Sequence, residues 1–164
     1  MNPANGGWLI AVTLVAAMLL GVVHLPEAWP GWLGWFRPNW LILVLFFWVI
    51  EVPHRLGMLA MWITGLFVDV LYADPIGLNG LILAAVSYVG WRFFERLRMY
   101  SVLQQCGILF LLVAAAELLR VVVLGVGSER QWGWNVLVSP LVTMAVWPFA
   151  FLLLIRLRTG ARVE

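Results

Sequence analysis

Apolar runs of roughly equal length alternate with short polar or glycine/proline-rich breaks along the whole chain. The runs are Trp8–Leu25, Asn39–Arg55, Leu56–Tyr72, Leu78–Phe94, Val102–Val126 and a sixth that starts between Asn135 and Pro140 and ends at Ile155. The breaks are Pro26 to Gly34, Pro53-His54-Arg55, Asp74-Pro75-Ile76-Gly77, Glu95-Arg96-Leu97-Arg98 and Gly127-Ser128-Glu129-Arg130. A helix rises about 1.5 Å per residue, so the 17 residues of Asn39–Arg55 give about 25 Å. That is the short end for crossing a hydrocarbon core of about 30 Å. The pattern predicts an all-α polytopic membrane protein: a bundle of six transmembrane helices forming a single domain over 1–164. The fifth run is long enough to tilt.

The second run carries the clearest punctuation. It opens with Arg37-Pro38-Asn39-Trp40 and closes with Pro53-His54-Arg55. Pro38 suits a helix entrance, where its missing N–H costs nothing. Asn39 can accept from the first orphan N–H groups. Trp40 joins an apolar ring to a polar N–H, as a membrane–water boundary favours. Arg37 and Arg55 can lay their stems on apolar surface and keep their heads wet. Elsewhere Ser101 reads as a cap for the fifth helix, Ser139-Pro140 as the start of the sixth, and Pro148 as a kink within it. The segment Trp29 to Phe36 is rich in tryptophan and glycine and reads as lying at the interface.

Composition agrees with a membrane domain. The chain is 64% hydrophobic and 11% charged, against about 25% charged in soluble domains. Its mean hydropathy is +0.99. The N-terminal Met1–Gly7 lacks the positive region of a secretory signal, so Trp8–Leu25 reads as a retained span. All ten basic residues are arginine. Seven of them (Arg55, Arg92, Arg96, Arg98, Arg156, Arg158 and Arg162) fall on one side of a six-span topology and two, Arg37 and Arg130, on the other. The arginine-rich side should be cytoplasmic, with both termini on it. A formal charge of +2 without a basic stripe excludes nucleic acid as a partner. Cys106, the single cysteine, sits in an apolar run and reads as packing.

Four ionisable residues fall inside predicted spans: Glu51, Asp69, Glu117 and Arg120. Each needs a reason, because a charge at the bilayer centre costs at least about 2.5–3.5 kcal/mol. Glu117 and Arg120 are three apart on one helix face and are expected to neutralise each other, fixing helix register. Asp69 follows Gly65 by one turn, near a predicted outer helix end that water can reach. Arg120 is a conceivable partner for it. Glu51 reaches toward Arg55 in an interfacial cluster. Gly80, Ala84 and Ser87 form a small-residue stripe on the fourth span, and Ala17 and Gly21 another on the first; both read as helix-packing faces. Asn39, Asn79 and Asn135 each lie near the outer start of an even-numbered span, where an amide can satisfy helix N–H groups. His24 and His54 fall on opposite sides of the predicted membrane, and no phosphate loop, Cys/His cluster or nucleophile elbow is present. The expectation is no catalytic residue, no metal and no cofactor.

The polar punctuation resembles that of the MreD family, the integral-membrane rod shape-determining proteins of bacteria. The likeness is carried by Arg37-Pro38-Asn39-Trp40, Trp48, Pro53-His54-Arg55, Gly65 with Asp69, and Pro75-Ile76-Gly77-Leu78. It is good from about Arg37 to Tyr88, and beyond that rests on length, hydropathy and the arginine-rich end. The resemblance implies a non-enzymatic inner-membrane scaffold of the cell-elongation complex, supporting peptidoglycan synthesis. It implies MreC as partner through that protein's transmembrane span, with RodA, its transpeptidase partner and MreB reached indirectly, and with membrane lipids around it. It also implies a fold similar to the six-helix substrate-binding subunits of energy-coupling-factor transporters. That likeness raises the alternative of a solute- or lipid-binding subunit. As a scaffold, the chain would receive the partner helix on a face such as that of Gly80 and Ala84.

Overall fold

The computed structural model describes residues 7–22, 36–125 and 134–160. They form six helices and no strand: α1 (Gly7–Val22), α2 (Trp40–Glu51), α3 (Met58–Tyr72), α4 (Leu78–Met99), α5 (Val102–Gly125) and α6 (Val138–Gly160). The tryptophan-rich segment Trp29 to Trp35 and the polar loop Gly127 to Arg130 lie outside the described residues, as do His24, Arg130 and Arg162.

The six apolar runs become six helices, with boundaries displaced where polar residues act differently from expectation. Pro53-His54-Arg55 is a separate 3-10 turn and not the end of α2, which stops at Glu51. Pro53 has no N–H to continue the helix. Glu95-Arg96-Leu97-Arg98 belongs to α4, which continues to Met99 and places Arg96 and Arg98 in its last turn, where the helix dipole favours cations. Ser101 caps α5 as expected and does so reciprocally with Gln104. The Gln104 N–H donates to Ser101 Oγ at 3.4 Å, and the Ser101 N–H donates to Gln104 Oε1 at 3.0 Å. Pro140 falls in the first turn of α6, where it is tolerated, and Pro148 lies inside that helix.

Helix α2 is the axis of the bundle. Every residue from Leu41 to Ile50 is buried. It packs against α1, α4, α5 and α6. Its aromatic residues key it to α6: Phe46 meets Trp147 edge-on at 5.1 Å between ring centroids, and Phe47 meets Phe151 at 5.9 Å. Trp48, fully buried, donates its indole N–H to Thr13 Oγ of α1 at 2.8 Å. A 12-residue helix is about 18 Å long, well short of the bilayer core. Being sheathed by protein, it has no lipid thickness to match.

The outside is apolar. Phe67, Val70, Ile76, Leu81, Leu103, Leu111, Phe149 and Leu153 are all more than half exposed. Soluble monomers do not present such a surface on every side. By length and composition α5 and α6 can each cross a membrane.

Gly21, Gly65, Gly80 and Gly90 are spent inside the bundle. A Cβ on Gly65 would strike the backbone of Asn79 and Gly80, so α3 and α4 touch through bare backbone. A Cβ on Gly90 would strike Val49 of α2, and one on Gly21 the Tyr72 hydroxyl. Ala17 is buried as well. Of the two occupants that the sequence leaves open for the Gly80 face, a helix of this chain or one of a partner, the structure seats α3 of the same chain there. Ala84, one turn on, is half-buried. Cys106 is buried packing, as read from the sequence.

Candidate functional site

The chain runs up and down, so one end of the bundle gathers the end of α1, the start of α2, the end of α3, the start of α4, the end of α5 and the start of α6. Most of the polar residues singled out in the sequence meet there.

Asp69 is the centre of this meeting. It sits one turn before the end of α3 and is fully buried. The chain then leaves α3 through Ala73 in the left-handed region (φ 54°) and enters α4 through Gly77 (φ 98°). Gly77 is the N-cap of α4 and has no side chain with which to cap. Asp69 supplies the missing acceptor from the neighbouring helix. Its Oδ2 accepts from the Gly77 N–H at 2.7 Å, and its Oδ1 from the Asn79 N–H at 2.8 Å and from Asn79 Nδ2 at 2.9 Å. A carboxylate at a helix N-terminus is favoured by the orphan N–H groups and by the dipole. Of the two readings of Asp69, a helix end open to water or a partnered carboxylate, the second is what the structure has: Asp69 is fully buried and held by three donors.

Asn79 passes the connection outward. Its second amide hydrogen bond goes to Asp74 Oδ2 at 2.9 Å, and its Oδ1 accepts from Arg120 Nη2 at 2.6 Å. Arg120 Nη1 stands 3.9 Å from Asp74 Oδ2. So Asn79 is not a simple helix cap; it bridges two carboxylates and a guanidinium from α5. The expected Glu117–Arg120 pair is not formed. Arg120 turns to Asn79 and Asp74, and Glu117 has no hydrogen bond or ion pair among the described residues. Arg120 reaches Asp69 only through Asn79.

A second set of contacts closes the same end. Asn39 caps α2 as read from the sequence, its Oδ1 accepting from the Ile42 N–H at 3.2 Å. Its own N–H donates to Thr143 Oγ of α6 at 2.8 Å. Arg37 donates through Nη2 to the Gly21 carbonyl of α1 at 3.2 Å. Tyr72 donates to the Met18 carbonyl at 3.2 Å. Pro38 and Trp40 are half-buried beside them. Asn135 lies in a short 3-10 turn, Trp134–Leu137, before α6, and its side chain lies outside the described set. Between these groups is a cavity of about 250 Å³, walled by Arg37, Asn39, Tyr72, Asn79, Glu117 and Arg120 among others.

The other end of the bundle is held differently. Glu51 pairs with Arg158 of α6 and not with Arg55, correcting the expected local contact; the Arg55 side chain lies outside the described set. Gln105 donates to the Leu97 carbonyl at 3.1 Å, tying α5 to the end of α4. The His54 ring is exposed and lies edge-on to Phe94. Sequence reasoning missed Asp74, Thr143 and Arg158 as partners. Asp74 had a signal in its turn motif. Thr143 and Arg158 join residues more than a hundred positions away, and nothing local marks them.

The described residues hold no group of three or more His, Cys, Asp or Glu arranged for a metal. Asp69, Asn79 and Arg120 are tied to one another, and their geometry serves to lock three helices. A helical bundle with an apolar exterior, with Asp69 buried and Arg120 tied to its neighbours, is the class of an integral-membrane protein. The comparison with known families agrees: the model of the rod shape-determining protein MreD matches residues 4–157, and the chain belongs to that family. The Haemophilus influenzae rod shape-determining protein MreD is 25% identical over 152 residues, covering 93% of this chain and 94% of that one. No solved structure matches the chain. Membership makes this a membrane protein of the rod-shape system, in a family of shape-determining proteins rather than enzymes.

Proposed function

We propose that the chain is a non-enzymatic scaffold of the cell-elongation complex in the inner membrane, binding the transmembrane span of MreC and so supporting peptidoglycan synthesis along the cell body. The observation that carries this reading is the division of labour between inside and outside. Asp69, Asn79 and the close approach at Gly65 are consumed in contacts within the chain, and the outward faces of α3, α5 and α6 are apolar. A partner helix then meets larger apolar side chains and not the Gly80 stripe. In this reading all six helices traverse or enter the bilayer, and both termini are cytoplasmic. The seven-to-two distribution of arginines supports that orientation, and so does the up-and-down run of the helices. RodA, its transpeptidase partner and MreB are reached through MreC.

The test is co-purification in detergent of the chain with its cognate MreC. A stable one-to-one or higher complex is expected, and it should survive Ala84→Leu, at a half-buried site. A chain that purifies alone, folded and monodisperse, in the presence of excess MreC would sink the reading.

A further inference from the structure

The cavity at the Asp69 end is not explained by scaffolding, and its walls carry unmatched groups of both signs. Glu117 faces it without a hydrogen bond or ion pair among the described residues. Three residues on, Arg120 faces it too, with its Nε–H buried and without a partner. Two such groups at this spacing would ordinarily satisfy each other. Here Arg120 is turned to Asn79 and Asp74, and both it and Glu117 line the cavity.

We propose that this cavity binds a zwitterionic group, with an ammonium against Glu117 and a phosphate or carboxylate against the guanidinium of Arg120. Three observations set the ligand class. First, among the described residues the cavity carries both signs: Arg37 and Arg120 face Glu117, with Asp74 beside Arg120, while Asp69 is buried behind Asn79 and spent on the start of α4. A net cation would confront two guanidiniums, and a net anion the Glu117 carboxylate. Second, about 250 Å³ holds roughly eight waters, which is below the usual range for a drug-sized ligand and fits a headgroup or an amino-acid-sized molecule. Third, the walls offer further neutral donors: the amide of Asn39 and the hydroxyl of Ser139. Such a group arrives either on a phospholipid with an ethanolamine head or as a free zwitterion. The proposal does not depend on which protein covers the outer faces, so it stands or falls separately from the scaffold reading.

The experiment uses the full chain, delipidated in detergent and then offered phosphatidylethanolamine or phosphatidylglycerol at equal concentration, with retained lipid counted by native mass spectrometry. Wild type is expected to retain phosphatidylethanolamine roughly tenfold better, the value of one charge-assisted contact. Glu117→Gln, which removes no contact holding the bundle, is expected to abolish that preference. Soluble phosphoethanolamine is added in a parallel arm. If it stabilises the lipid-free chain against heat in a Glu117-dependent way, the ligand is a free zwitterion and the same chemistry holds. Equal retention of the two lipids by wild type, with no stabilisation by phosphoethanolamine, overturns the proposal. So does a preference that Glu117→Gln leaves intact. The wild-type comparison needs no variant, so a failure of Glu117→Gln to purify does not remove the test.

Discussion

Two residues do the same job by different routes, and only one is visible in the sequence. Asn39 caps the helix that it begins, three positions from its donor, and local spacing is enough to foresee it. Asp69 caps a helix that it does not belong to, with donors eight and ten positions on, across a turn. Its value lay in the turn that follows, which a reading of α3 alone treats as a wet end. Arg120 shows the converse: the spacing to Glu117 is ideal for a local pair, yet the tertiary partners on α3's turn and α4 win. Removing the Asp69 carboxylate strands three N–H donors in a dry site. Asp69→Ala should destabilise the fold by about 3–5 kcal/mol, as loss of one partner from a buried charged cluster does. The expected result in fluorescence-detected size exclusion is loss of the monodisperse peak. Gly77→Ala keeps every partner but places a side chain at φ 98°. It should cost about 1–2 kcal/mol and appear as a lowered melting temperature with the peak retained.

At the scale of elements, hydropathy located all six helices but not their ends. Apolar runs do not reveal that α2 stops at Glu51 or that α4 carries its charged segment on to Met99. Those ends are decided by the 3-10 turn at Pro53 and by charges that suit a helix terminus. The small-residue stripes were legible as packing signals, but the sequence is silent on whether the partner lies inside or outside the chain. The α3–α4 contact answers that and can be tested by a matched pair. Gly65→Val forces the backbones of α3 and α4 apart and should abolish folded protein in the same size-exclusion assay. Gly107→Ala in α5 meets open space and should raise the melting temperature slightly, by up to about 1 kcal/mol of helix propensity. If both variants behaved alike, close approach would not be what Gly65 supplies.

For the whole molecule, membrane class followed directly from composition, whereas the pairing of charges between distant helices did not. The Glu51–Arg158 pair joins α2 to the end of α6 across the chain. Glu51→Arg should lower expression of folded protein, and the double exchange Glu51→Arg with Arg158→Glu should restore much of it, since the coupling between two contacting charges is what the double exchange preserves. Orientation is testable by labelling. In a Cys106→Ser background, cysteines at Ile76 and Met99 are both well exposed at opposite ends of the bundle. An impermeant maleimide applied to intact spheroplasts should modify the Ile76 site and spare the Met99 site. The reverse pattern would place the Asp69 end in the cytoplasm.

The capping of α4 by Asp69 also has a consequence for the order in which the protein is made. Its ties close loops of eight to ten residues, so little chain entropy is lost in forming them. Arg120 lies 41 positions beyond Asn79, and the links from α2 to α6 span more than a hundred. As the chain emerges from the ribosome, α3 and α4 can therefore settle as a finished hairpin. Helix α5 docks its guanidinium only onto a hairpin already closed, and α2 stays without its last wall until α6 arrives. A nascent chain truncated after α4 should already resist proteolysis within the hairpin, and Asp69→Ala should remove that early protection.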